Sequence, residues 1–356
     1  RLMEASRSDN AVITYAYDGV GNRTGLTYTI GANPATHLAY AYNTRDLLEG
    51  LGDGTAGETT VFTYDEVGSV TRKDLPNGAY TTYNYSNLNR VTEVAHSPLA
   101  TAIGYTYDDA GNRLTMTDGT GTTSYDYDNI YQLTGVTYPG ASAIPYTYDA
   151  VGNRLSDGTQ LYGYNNVHQL VAMTDGSNST NYAYAGNGNL SQKVVIEGGQ
   201  WTTTTYTFNV FDKMTEVAAP NSPVTKFVYG GDGLRYSKLV IPGDGQPESR
   251  VNYLMDGLSV LAEYTDEDTV ITTYVPGISV TKGGTTYYYH HDGLGSTVAS
   301  LLMQAGLFRP LKIVGIPDEY TYTGSQLEIF AHYGISPAGL AQTAQTLLAT
   351  SQRITV

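Results

Sequence analysis

Residues 105 to 114 read Tyr105-Thr106-Tyr107-Asp108-Asp109-Ala110-Gly111-Asn112-Arg113-Leu114, and residues 146 to 155 repeat them as Tyr146-Thr147-Tyr148-Asp149-Ala150-Val151-Gly152-Asn153-Arg154-Leu155. Two tyrosines two positions apart share one face of a strand and put the threonine on the other. Asp108 can accept hydrogen bonds from turn amides, and Gly111 or Asn112 can take the positive φ that reverses the chain. Arg113 and Leu114 open a return strand, so the stretch predicts a β-hairpin with a loop of about four to five residues. An earlier copy stands at Tyr15-Ala-Tyr17-Asp18-Gly-Val-Gly21-Asn22.

Working outward, the second aromatic of each such pair falls at Tyr17, Tyr42, Tyr64, Tyr85, Tyr107, Tyr127, Tyr148, Tyr164, Tyr184, Phe208 and Tyr229. The spacing averages about 21 residues, within the range that marks repeat architectures. The copies alternate in kind. One kind carries a glycine turn, as at Asp18, Asp65, Asp108 and Asp149, with variants at Ala185 and Gly230. The other lacks the glycine and places an apolar residue five positions on: Asn43 with Leu48, Ser86 with Val91, Asp128 with Leu133, Asn165 with Leu170, Asn209 with Met214. The unit is therefore about 42 residues, made of two unequal hairpins.

Composition agrees. The 356 residues include 40 Gly and 33 Tyr against 6 Phe and 1 Trp, a mixture that favours strands and tight turns over helices. A half-buried tyrosine can hold its hydroxyl in water, so the tyrosine excess predicts a single curved sheet with one wet face. A net charge of -15 without Lys-rich or Arg-rich runs argues against nucleic acid and anionic membranes as partners. With no Cys, disulfides, thiol catalysis and thiolate metal sites are excluded. No stretch approaches the roughly 18 consecutive apolar residues of a membrane span, and no export signal is visible. Arg1 and the immediate start of a repeat give the expectation of a fragment.

Three regions follow: a repeat array over residues 1–240, divergent strands with a second motif over 241–300, and a degenerate end with a short tail over 301–356. In the tail, Ser336 as N-cap and Pro337 at the first helical position predict a helix to about Ser351.

The repeats at 105 to 114 and 146 to 155 closely resemble the YD repeats of the Rhs family, and Tyr288-Tyr-His290-His291-Asp292-Gly293-Leu-Gly295-Ser296 resembles the signature near the start of the Rhs-associated core. The resemblance covers about residues 10 to 300. It implies an all-β fold, a long β-ribbon curved or spiralled into a hollow shell as in insecticidal toxin complexes and teneurins, here with the short helical tail. It also implies a secreted or cell-surface protein whose partners are a C-terminal toxin or other cargo polypeptide, further copies, or the remaining chain of the shell. Such shells end in a self-cleaving segment with Asp-Pro, but no Asp-Pro pair occurs here, so no catalytic residue carries over and the chain is read as non-enzymatic. At about 4.8 Å per strand, roughly 32 strands make a ribbon on the order of 150 Å, little more than one turn of a ring and too little to enclose a toxin alone. The other reading is an adhesin whose tyrosine face binds glycans or a neighbouring cell.

No cofactor or metal is expected. The repeat signature residues, including Arg113 and Arg154, and the second motif, His290, His291, Asp292, Gly293, Gly295 and Ser296, are read as structural. Adjacent histidines in a strand point to opposite faces and do not easily share a metal, so His290-His291 reads as a strand end entering a turn, or as a pH-sensitive contact. Gly230-Gly-Asp-Gly233 and Gly243-Asp-Gly245 lack the alternating ligands of a calcium loop. Ser296 sits in no Gly-x-Ser-x-Gly elbow.

Overall fold

A computed structural model of the chain describes residues 3–6, 10–54, 58–99, 101–243, 246–295 and 297–299. The helix expected after Ser336, the pair Asp244-Gly245 and Ser296 lie outside the described residues. Within them the fold is all-β, with no helix. Strand order follows chain order throughout. Strands from Glu4–Ser6 to Ile144–Pro145 make a 14-stranded sheet, those from Thr147–Tyr148 to Thr285–Tyr288 a 15-stranded sheet, and His290–His291 pairs with Thr297–Ala299. Both long sheets are open ladders of antiparallel hairpins. The first ends at Pro145, which has no N–H to give to a further ladder.

By internal contacts the described residues divide into two units, those of 3–124 with 277–299, and those of 125–276. In the first, Val94, Ile103 and Tyr105 form a buried cluster against Tyr83, Val91, Tyr107 and Met116. In the second, Leu254, Leu261, Ala262 and Tyr264 are buried.

The hairpins share one detail that alternation alone does not reveal. Tyr17 pairs with Arg23, Tyr42 with Leu48, Tyr64 with Val70, Tyr85 with Val91 and Tyr107 with Arg113, and each time the register slips by one residue at that aromatic. The slip is a β-bulge closing a five-residue loop. In residues 108 to 112, the Asp108 amide donates to the Asn112 carbonyl at 3.0 Å and the Gly111 amide to the Asp108 carbonyl at 3.2 Å. The Asp108 carboxylate accepts from the Gly111 and Asn112 amides at 2.7 and 2.8 Å and from the Asn112 side chain at 2.7 Å. These bonds hold its carboxyl below the usual range, the Asn112 side chain foremost, and Asp18 and Asp149 lie low through the equivalent turn amides and Asn22 or Asn153.

The two kinds of hairpin, expected to be unequal, have the same loop. Asn43, Ser86, Asp128, Asn165 and Asn209 make the same amide-to-carbonyl bonds to the fifth residue as the Asp-Gly turns do. Only the fourth position differs. Gly21, Gly68, Gly111, Gly152, Gly188 and Gly233 have φ from 78 to 110, while Asp46, Asn89, Tyr131, His168 and Asp212 have φ from 57 to 66. The fifth residue of each non-glycine turn lies beside the glycine of the next, whose φ is one that an L side chain rarely adopts whatever the space. A Cβ on Gly111 would meet the Arg90 guanidinium at 3.1 Å and one on Gly152 the Gln132 amide at 3.1 Å.

Tyr131 and His168 occupy the left-handed region without the local hydrogen bonding that favours Asn and Asp there. Replacing Tyr131, which is 62% exposed, with Gly is expected to stabilise the protein by about 1 kcal/mol. A urea melt would register this as a higher midpoint with unchanged slope, and a lower midpoint would contradict the strain assignment.

Tyrosine hydroxyls, expected in water, are bonded to backbone. Tyr42, Tyr64, Tyr85 and Tyr107 donate to the carbonyls of Arg23, Leu48, Val70 and Val91 at 3.1, 2.6, 2.8 and 2.7 Å. Tyr148 and Tyr184 do the same to Leu133 and Leu170 at 2.7 and 2.8 Å. Each acceptor opens the return strand of the preceding hairpin, so each phenol ties one repeat to the one before it. Tyrosine adds to what phenylalanine offers, because the ring packs while its hydroxyl satisfies a neighbouring chain segment; Phe208 keeps the equivalent bulge without that bond.

Candidate functional site

In the first unit one row of side chains departs from the apolar pattern. Lys73 pairs across the sheet with Thr81, and Thr81 with His96. All three are buried, at 5%, 0% and 2% exposure, where the next inward position carries residues such as Val94. The bulged turns at Tyr64–Val70 and Tyr85–Val91 set the register that lines them up.

The segment carrying the second motif docks on this row. The hairpin Ser279–Lys282 with Thr285–Tyr288 turns at Gly283 and Gly284, whose φ values are 58 and 75. The Tyr289 amide then donates to the Ile278 carbonyl at 2.8 Å. Next along the chain, His290 is completely buried, with its Nδ1 at 3.2 Å from His96 Nδ1 and 3.3 Å from Thr81 Oγ1, while Thr81 Oγ1 lies 3.1 Å from His96 Nδ1. The two imidazoles meet edge to face with centroids 4.9 Å apart. Lys73 Nζ donates to the Tyr289 carbonyl at 3.2 Å, and the Gly293 amide donates to Tyr105 Oη at 2.8 Å. A turn follows, in which the Leu294 amide donates to Asp292 Oδ1 at 2.9 Å and Gly295 takes φ 86. The His291 ring lies 5.9 Å from the Tyr289 ring.

The electrostatics follow from burial. Desolvation pulls His96 down to about 3, helped by His290, Lys73 and His291 and opposed weakly by the His291 backbone, and pulls His290 down to about 4, helped by Lys73 and His291. Desolvation also brings Lys73 down to about 8. Both imidazoles are therefore neutral at physiological pH. Two neutral Nδ1 atoms in contact need one donor and one acceptor, so the rings hold complementary tautomers. His96 Nε2 and His290 Nε2 are buried without a hydrogen-bond partner. The arrangement offers no carboxylate for proton transfer at the buried pair; chemically it is a dry polar contact that holds a late segment of chain on an early one. Among the described residues no group of three His, Cys, Asp or Glu is placed to hold a metal.

Of the residues singled out from sequence, the structure brings Tyr105, His290 and Gly293 together and spreads the remaining repeat residues over successive turns. Sequence reasoning missed Lys73, Thr81 and His96, which stand in three different strands and form no motif. Their signal was a polar residue at an inward-facing position, readable only once the bulge is counted.

Tandem bulged hairpins tied by tyrosine hydroxyls define a β-hairpin-repeat protein. Residues 62–202 match the family model described as teneurin YD-shell. The chain's repeats resemble the YD repeats of that shell family and of Rhs-type proteins. Over 315 residues it is 29% identical to the tRNA3(Ser)-specific nuclease WapA of Bacillus spizizenii, covering 84% of this chain and 11% of that protein. Over 129 residues, 36% of this chain and 5% of the relative, it is 32% identical to the tRNA nuclease WapA of Bacillus subtilis. The chain thus spans less than a fifth of either curated relative. Among solved structures it is similar to TcdB2-TccC3, at 14% identity and a TM-score of 0.41, over 82% of this chain and 23% of that one.

Proposed function

We propose that this chain is a wall segment of an Rhs-type shell that encloses or presents another polypeptide, a toxin or other cargo, in a secreted or surface-exposed protein. The observation that supports the reading is that successive hairpins are fastened by tyrosine hydroxyls, at Tyr42, Tyr64, Tyr85, Tyr107, Tyr148 and Tyr184, and by turn-to-turn contacts. Asn22 donates to Asp46 at 3.0 Å and Ser69 to Asn89 at 2.6 Å, and Arg45 donates to the carbonyls of Asp65 and Glu66 at 2.9 Å. Such devices maintain a continuous wall, and the repeat residues named from sequence act in them as structural elements. The adhesin reading needs ring faces open to sugars, whereas Tyr15, Tyr28, Tyr105, Tyr146, Tyr182 and Tyr206 are buried.

The test is limited trypsin digestion, with mass spectrometry, of the protein as its source organism makes it. A second polypeptide should survive while the ribbon is folded and be degraded once urea unfolds the ribbon. Finding no such protected polypeptide, or one cut equally fast before and after unfolding, would count against enclosure.

A further inference from the structure

We propose that the docking of residues 288–295 on the Lys73–Thr81–His96 row is an acid-released latch, held by the neutral imidazoles of His96 and His290 and opened when they take up protons. The latch is a property of the first unit alone and stands or falls independently of the shell reading.

The geometry leaves no room for the charged form. Nδ1 of His96 and Nδ1 of His290 are 3.2 Å apart, so a proton on both turns a hydrogen bond into two opposed donors carrying like charge. Thr81 Oγ1, at 3.1 and 3.3 Å from the two nitrogens, can accept from one of them at a time along a given lone pair and brings no negative charge. The groups around the pair make matters worse. Lys73 faces it from the strand Val70–Asp74 and adds positive charge, and His291, next along the docked segment, adds more once protonated, while Tyr105 on Thr101–Tyr107 is neutral, its hydroxyl pushed up to about 12 by burial. Asp292, on the docked segment itself, acts on His291 and Tyr105 and is not among the influences on the buried pair. Among the described residues the charges that act on the pair are positive, those of Lys73 and of the protonated histidines.

The sign follows from linkage. Both histidines are depressed in the folded state relative to 6.5, so the closed form is favoured above that value and weakened as pH falls below it. If both rings reach water on opening, each favours the open form about tenfold at pH 5.5, and together about a hundredfold relative to pH 7.5.

Hydrogen exchange at the Tyr289 and Gly293 amides, whose acceptors are the Ile278 carbonyl and Tyr105 Oη, reads the latch directly. After correction for the pH dependence of intrinsic exchange, their protection should fall about a hundredfold between pH 7.5 and 5.5, while that of Leu26 in the same unit stays level. His290→Asn should reduce the fall to about tenfold. Equal protection at both pH values, or an undiminished fall in a variant lacking both His96 and His290, would overturn the latch. Should these variants not fold, NMR titration of the unaltered protein decides: the two rings should stay neutral down to about pH 5 while closed, and either one titrating near 6.5 in the folded state would refute it.

Discussion

Gly293→Ala is expected to detach the returning segment and destabilise the first unit by about 3 kcal/mol. The backbone at Gly293 is not in the left-handed region, so the effect is purely one of space. A Cβ there would stand 2.7 Å from Cε2 and 3.0 Å from Cζ of Tyr105. That ring cannot withdraw, because it is packed in the buried cluster with Val94 and Ile103. The segment must move instead, and with it goes the bond from the Gly293 amide to Tyr105 Oη. Tyr105→Phe separates the two contributions, since it keeps the ring and removes only the hydroxyl; its cost should be about 1 kcal/mol. Urea melts of the two variants followed by circular dichroism would check the order. Gly293→Ala melting like the unaltered protein would mean that residues 288–295 do not dock on Tyr105.

How much of this was legible beforehand differs between turn and site. The turn at 108 to 112 could be read from Asp108 and Gly111, because each residue type has one dominant reason to be there. So could the alternation of turns with and without glycine. The contact between successive turns could not, since the side chain beside Gly111 belongs to Arg90, a neighbour in space and not in the local motif. Nor could the equality of the two turns, because nothing in the sequence of Tyr131 or His168 announces a positive φ. The bulge hid the site as well: a shift of one residue reverses which side chains face inward, so Lys73, Thr81 and His96 fall into one row only when it is included. His290 was visible as a motif residue, but its partner lies 194 positions away.

The tyrosine hydroxyls give the other large expectation, and it bears on why the repeat keeps tyrosine. Replacing Tyr42, Tyr64, Tyr85 and Tyr107 together by Phe should cost about 4 kcal/mol, near 1 kcal/mol for each lost bond. Each ring stays the same size, so packing is unchanged and the loss isolates the donation to Arg23, Leu48, Val70 and Val91. Burial raises all four phenols, which keeps them protonated as donors across the physiological range. Successive bonds are two strands, about 10 Å, apart along the sheet, far enough for their effects to add. For a urea slope of about 2 kcal/mol/M the midpoint would drop by roughly 2 M. A midpoint that does not move would place the hydroxyls in water, as a single sheet with a wet face would have them. A drop that grows in proportion to the number of substitutions would identify the phenol-to-carbonyl bond as the unit of cohesion between repeats. In that case tyrosine-bearing hairpins can be added without a new core, since each of them brings the bond that fastens it to the one before.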